Sequence, residues 1–267
     1  MGILGCGWLG LPLAEMFLAQ DFTVRGTTTS MDKMGLMANK GIVPFNIRLD
    51  EEHIDGDILG FLKGLDYLII NVPPGLRRSQ KKGDYVQKMR LLLKAIRQAE
   101  VPKIIFVGST SVYGDGHIGP VTEATTPIPT SEAGKQLLQC ESLFKQLSRA
   151  KVTIVRFAGL IGPDRHPIQQ LSGRTQLKDG HAPVNLIHLT DCLGILGLII
   201  RGEHWQLTLN AVYPHHPTKE AYYTAQAQER NLPPPQYAPN EVGGHKTVGT
   251  MQPLLLNRYD FQMPIER

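Results

Sequence analysis

Six residues near the start of the chain, Gly5-Cys6-Gly7-Trp8-Leu9-Gly10, have the types and spacing to hold a pyrophosphate. In a G-x-G-x-x-G turn the first glycine allows a tight bend and the second lets backbone approach the phosphates. The third lets the following helix pack on the preceding strand. N–H groups at the start of that helix, including those of Trp8 and Leu9, are donors for an anion. An NAD site places an Asp or Glu about twenty residues past the first glycine, on the ribose 2′-hydroxyl. Here that position holds Arg25, followed by Gly26-Thr27-Thr28-Thr29-Ser30, with no acid before Asp32. A guanidinium among hydroxyls suits a 2′-phosphate, so NADP is expected over NAD, with Arg25, Thr27, Thr28 and Thr29 as its readers. Asn71-Val72-Pro73-Pro74 follows an apolar run and is expected to wall the same crevice, where a dinucleotide lies outside the strand ends.

Other chemistry-bearing residues read more simply. Glu123 and Glu132 are expected as solvated caps or helix-dipole partners, and His188 as a structural histidine. Tyr113 is expected to pack beneath the site, while Tyr85 faces it in one register. Cys6 is expected as a small packed residue. His215-His216 has no partner at ligand spacing, so no metal site is expected. The basic stretch 75–83 reads as a mobile loop, solvated rather than gating.

The elements that must position these groups alternate. Strands are expected at Met1–Leu4, Phe22–Arg25, Ile42–Phe45, Tyr67–Val72, Lys103–Val107 and Val152–Phe157. Helices are expected at Leu9–Gln20, Asp84–Gln98 and Glu132–Ser148. Runs such as Ile104-Ile105-Phe106-Val107 are apolar on both faces, as a parallel sheet covered by helices on both sides requires. The expected fold is therefore α/β: a Rossmann-type, doubly wound parallel sheet with a small discontinuous C-terminal lobe. The dinucleotide domain is expected to span 1–163 and 184–212, and a substrate-binding lobe 164–183 and 213–267. The first strand is short, which leaves two readings open: a trimmed strand, or a start further upstream.

Further segments carry a resemblance. Gly108-Ser109-Thr110-Ser111-Val112-Tyr113-Gly114 is similar to the S-[ST]-x-x-V-Y-G segment of extended short-chain dehydrogenases/reductases. Arg156 to Pro163 is similar to that family's R-x-x-x-x-x-G-P, Asn185 to Asp191 to its I-H-V-x-D segment, and Leu209-Asn210-Ala211-Val212 to its Y-N-[VI] strand. The G-x-G-W-L-G opening and the run Arg165-His166-Pro167 resemble its atypical, YeeZ-like branch of NAD(P)-binding proteins. The resemblance implies an oxidoreductase, epimerase or dehydratase acting on a small polar or sugar-like substrate. It places Phe157, Gly159 and Leu160 beside the cofactor. It also implies a Ser/Thr at Ser109 and a Tyr-x-x-x-Lys pair in which the lysine is Lys135 and the tyrosine position is Ser131. Lys135 would hold the nicotinamide ribose. A serine hydroxyl is shorter and far less acidic than a phenol of pKa about 10. The chain departs from the family there, and again at Leu4, which stands where the usual first glycine of G-x-x-G-x-x-G would. A non-catalytic dinucleotide-binding sensor or regulatory protein is the competing expectation.

The composition bounds these readings. The chain has 267 residues, 42% of them apolar and 19% charged, with 27 Gly and 19 Pro. That excludes coiled coil, collagen and wholesale disorder. A net charge of +4 without long basic blocks is not a nucleic-acid footprint. Three scattered cysteines make no disulfide framework and point to the cytoplasm. No apolar stretch approaches the roughly 18 residues of a membrane span.

Overall fold

In the computed structural model, residues 1–75, 83–239 and 244–265 are described. The chain runs through β1 (Gly2–Leu4), α1 (Gly10–Leu18), β2 (Arg25–Thr28), α2 (Met31–Asn39) and β3 (Val43–Asn46). A hairpin of β4 (Arg48–Leu49) and β5 (Ile54–Asp55) precedes α3 (Ile58–Leu62), β6 (Tyr67–Ile70), α4 (Tyr85–Ala99) and β7 (Lys103–Ser109). A 3-10 turn at Thr110–Tyr113 leads to β8 (Gly119–Val121), α5 (Glu132–Lys145), β9 (Lys151–Phe157) and β10 (Gly159–Ile161). Then come α6 (Ile168–Leu171), β11 (Leu186–His188), α7 (Leu189–Arg201), β12 (Thr208–Ala211), α8 (Lys219–Glu229), β13 (Lys246–Val248) and α9 (Pro253–Arg258).

Among the described residues seven strands form one sheet, in the order β12-β9-β7-β6-β1-β2-β3. Every pairing in it is parallel. The fully buried runs Leu68-Ile69-Ile70 and Ile104-Ile105-Phe106 occupy its centre, so the two-faced apolar pattern has its expected cause. Strand order reverses between β1 and β6, which opens the crevice at their carboxyl ends.

Two boundaries differ from the sequence reading. Strand β2 begins at Arg25 instead of ending there. The chain turns out of α1 at Asp21 in the left-handed region (φ 63°), and pairing starts with Arg25 opposite Gly2. The second lobe is also smaller than expected. Its core holds Ile161, Ile168, Val184, Leu186, Tyr222, Tyr223, Ala227 and Ile265. Val248, Leu254 and Leu255, expected in that lobe, instead join the main core, with Tyr259 and Phe261 packed against it.

Half-buried and buried polar side chains hold this returning segment. Asn185 accepts from Val248 N–H (2.7 Å) and donates to Lys246 O (3.3 Å). The Glu123 carboxylate accepts from Asn210 N–H, Thr250 Oγ1 and Met251 N–H at 2.6–2.7 Å. Asp191, wholly buried, accepts from the Tyr259 hydroxyl and from Gln262 and Met263 N–H. Among the described residues no helix is long and apolar enough to cross a membrane.

Candidate functional site

The turn after β1 shows why glycine stands at three positions. Gly5 has φ +104°, and a Cβ there would lie 2.7 Å from Asn71 O. A Cβ on Gly10 would lie 2.1 Å from Gly5 O, so only glycine lets α1 start this close to the loop. At Gly7 a Cβ would meet nothing within 4 Å; this glycine faces open space, where a pyrophosphate would lie. The loop is fastened from below. Thr27 Oγ1 accepts from Gly5 N–H (2.9 Å), Thr27 O accepts from Cys6 N–H (2.9 Å), and Asn71 Nδ2 donates to Gly5 O (3.2 Å).

A cavity of about 370 Å³ opens above it at the strand ends. Its walls are Leu4–Gly7, Thr27–Thr29, Lys33, Ile47–Leu49, Asn71–Gly75, Tyr85, Lys88 and Met89. Three cations line it and no carboxylate does, among the described residues. The expected Gly5, Gly7, Thr27, Thr28, Thr29, Asn71, Val72 and Pro73 are all brought together there.

Arg25 is not. Its Nη1 donates to the carbonyls of Gly60 (3.2 Å), Phe61 (3.1 Å) and Lys63 (2.6 Å), closing the end of α3 at the opposite edge of the sheet. The reason is the strand boundary: the first residue of β2 sits at its amino end, and a dinucleotide needs its carboxyl end. The positive charge comes instead from Lys33 in the first turn of α2, Arg48 on the β4–β5 hairpin and Lys88 on α4. None has a fixed spacing from the glycines. Of the three, Arg48 alone carried a sequence signal, as a basic residue just past the expected strand Ile42–Phe45.

The hydroxyl-bearing candidates are largely committed. Tyr85 is buried on the cavity wall, and its hydroxyl donates to Val72 O at 2.7 Å; burial pushes its pKa well up. The buried Tyr113 hydroxyl accepts from Arg156 Nη1 (2.8 Å) and lies within reach of Thr122 O and Asn210 Oδ1. Its pKa is raised, chiefly by burial. Ser109 Oγ accepts from Ser111 N–H across the 3-10 turn (3.1 Å). Ser131 is the N-cap of α5, its Oγ accepting from Gly134 N–H at 3.1 Å. Lys135, one turn further on, is exposed.

Remaining expectations resolve by contact. Cys6 is buried with its thiol pushed up to about 12 by desolvation, so it is a packed thiol beneath Gly26. His188 is the N-cap of α7, its Nδ1 accepting from Thr190 N–H, and burial lowers its pKa. His216 bonds Val184 O through Nδ1. Glu132 stands in the first turn of α5 and accepts from Gln136. Glu123 departs from expectation: three donors hold its carboxylate, so it is a cross-link rather than a solvated cap. Phe157, Gly159 and Leu160, at the end of β9 and in β10, lie outside the lining of the cavity. So does Trp8, whose indole reaches the opposite loop and donates to Pro163 O. Most of the loop 75–83, residues 76–82, lies outside the described residues.

The chain is similar to known proteins. The profile of the NAD dependent epimerase/dehydratase family matches residues 3–187. Protein YeeZ of Escherichia coli (strain K12) is 35% identical over 240 residues, 89% of this chain and 86% of that protein. Among solved structures, MoeE5 in complex with UDP-glucose and NAD superposes with a TM-score of 0.78 at 19% identity, covering 99% of this chain and 94% of that one. UDP-glucuronic acid 4-epimerase from Bacillus cereus, in complex with UDP-glucuronic acid and NAD, gives 0.78 at 18% identity, covering 100% and 96%. At such identities the superpositions speak for the fold.

Proposed function

Because the chain belongs to the NAD dependent epimerase/dehydratase family, we propose that it is a dinucleotide-dependent enzyme that prefers NADP(H) and acts on a small polar or sugar-like substrate. The observation that carries this reading is the cavity at the carboxyl ends of β1, β2 and β6, which is cationic and, among the described residues, free of carboxylates. A ribose 2′-hydroxyl needs an acceptor there, whereas a 2′-phosphate needs donors and positive charge.

In this reading the N–H groups from Gly7 to Gly10 hold the pyrophosphate. Thr28, Thr29, Lys33 and Arg48 face the 2′-phosphate, and Thr27 serves by holding Gly5. Asn71, Val72, Pro73 and Tyr85 form the wall, and Lys135, Phe157, Gly159 and Leu160 attend the nicotinamide half. The bound dinucleotide supplies hydride chemistry. Ser109 is the hydroxyl that orients the substrate's oxygen, and Ser131, tied to the start of α5, contributes little to proton transfer. Three buried free thiols suit a reducing cytoplasm.

Calorimetric titration should show NADPH binding at least about ten-fold more tightly than NADH, the size of one charge-assisted hydrogen bond. Lys33→Ala and Arg48→Ala should each erode that ratio, and Arg25→Ala should leave it intact. Equal affinity for the two dinucleotides in the unmodified protein would refute the preference. A second reading, a non-catalytic dinucleotide-binding regulator, is favoured by the phenols: Tyr85 and Tyr113 both bond inside the protein. Tight NADPH binding with no oxidation across a panel of carbonyl compounds and nucleotide sugars would select it.

A further inference from the structure

Trp8 sits within the phosphate loop, yet its side chain belongs to a different contact. Its Nε1–H donates to Pro163 O at 3.1 Å, across 155 residues of sequence. The guanidinium of Arg165 lies 4.8 Å over the ring centre. Gly162 packs so near that a Cβ there would lie 3.0 Å from the indole Cζ2. These three partners belong to one four-residue turn, closed by Gly162 N–H to Arg165 O (3.0 Å) and Arg165 N–H to Gly162 O (3.1 Å).

The turn opens into the second lobe. His166 follows it at once, with Nδ1 accepting from Ile168 N–H (3.2 Å) and Nε2 against the Tyr222 hydroxyl (2.9 Å). Ile168 and Tyr222 are core residues of that lobe. One continuous run of contacts therefore joins the loop that would carry the pyrophosphate to the core of the second lobe.

We propose that Trp8 is a positioning residue that transmits dinucleotide occupancy to the second lobe. The inference rests on the reading of the crevice as a dinucleotide site. A phosphate bound at the start of α1 fixes the backbone at Trp8, and with it the indole. The indole then fixes the 162–165 turn through a hydrogen bond, ring packing and a cation–π contact. Coupling of this kind is reciprocal, so a ligand that orders the second lobe also tightens the dinucleotide.

Hydrogen exchange on the full chain, with and without saturating NADPH, tests it. In the unmodified protein NADPH should slow exchange of amides 162–171 by about five-fold or more, the lower end of ordinary coupling. In Trp8→Ala that slowing should vanish while the 7–11 amides remain protected by NADPH. Trp8→Phe, which keeps the ring and loses the N–H donor, should recover part of it. Arg165→Gln leaves the indole and both cores in place, and should weaken the slowing at least two-fold. That variant decides the matter if Trp8→Ala does not fold. Equal slowing in the unmodified protein and in these variants would overturn the proposal, as would bound NADPH that leaves 162–171 unaffected. Failure of any dinucleotide to bind the unmodified protein would remove the crevice reading, and this proposal with it.

Discussion

Ser131 shows how much a single hydroxyl can be tied to the start of a helix. Its hydroxyl accepts from Gly134 N–H, so it supplies an acceptor to a helix start that would otherwise leave donors free. Ser131→Ala should cost about 1 kcal/mol of stability, the usual value of an N-cap, and Ser131→Asp should restore it. Urea denaturation midpoints read both. NADPH affinity should hardly move in either variant, whereas Lys135→Ala should weaken it. Turnover in Ser131→Ala should stay within a few-fold, since a working proton-transfer group contributes about 10²–10⁴-fold. A loss of two decades with intact cofactor affinity would make Ser131 catalytic.

Between elements, the buried pair of Glu141 on α5 and Arg156 on β9 joins a helix to the sheet with two hydrogen bonds of 2.9 and 2.6 Å. Arg156 also donates to Tyr113, which links the 3-10 turn to the same pair. Glu141→Ala strands a guanidinium that is only 4% exposed, and should cost about 3–5 kcal/mol in chemical denaturation. Replacing both partners by Leu and Met should cost much less, because no charge is then left alone. This scale also explains what the residues disclosed in advance. Apolar runs such as Ile104–Val107 declared the parallel sheet, and the three glycines declared the loop, because both follow from local sterics. The end of β2 was not legible: Val24 and Arg25 read as the close of a strand, yet sheet register with Gly2 makes Arg25 its opening. Lys33, Arg48 and Lys88 converge only through three separate crossovers, and no spacing rule predicts that. Asn185 and Glu123 look like ordinary polar loop residues until their distant partners arrive.

At the level of the whole molecule, stability should depend on acidity through half-buried histidines held neutral. Desolvation, aided by Arg230, lowers His166 to about 4, against about 6.5 in an unfolded chain. Between these values the unfolded state holds the extra proton, so stability rises with pH. The contribution is complete above about pH 6.5 and lost as pH falls toward 4, on the order of 1–3 kcal/mol. Burial also lowers His188 and His216, which act in the same direction. Melting midpoints should therefore drop between pH 7 and 5, and His166→Gln should flatten that slope; an unchanged slope would exclude His166 as its source. The cross-link at Glu123 has a consequence in time. One of its donors, Met251 N–H, is 128 residues downstream. At about 5–20 residues per second, a ribosome delivers that donor roughly 6–26 s after the carboxylate emerges. In the last part of that interval, once β12 has been made, the nascent sheet stands open beside it, with Glu123 and Asn185 facing water. The growing chain thus exposes an apolar seam that a chaperone could occupy, until its own later residues displace it.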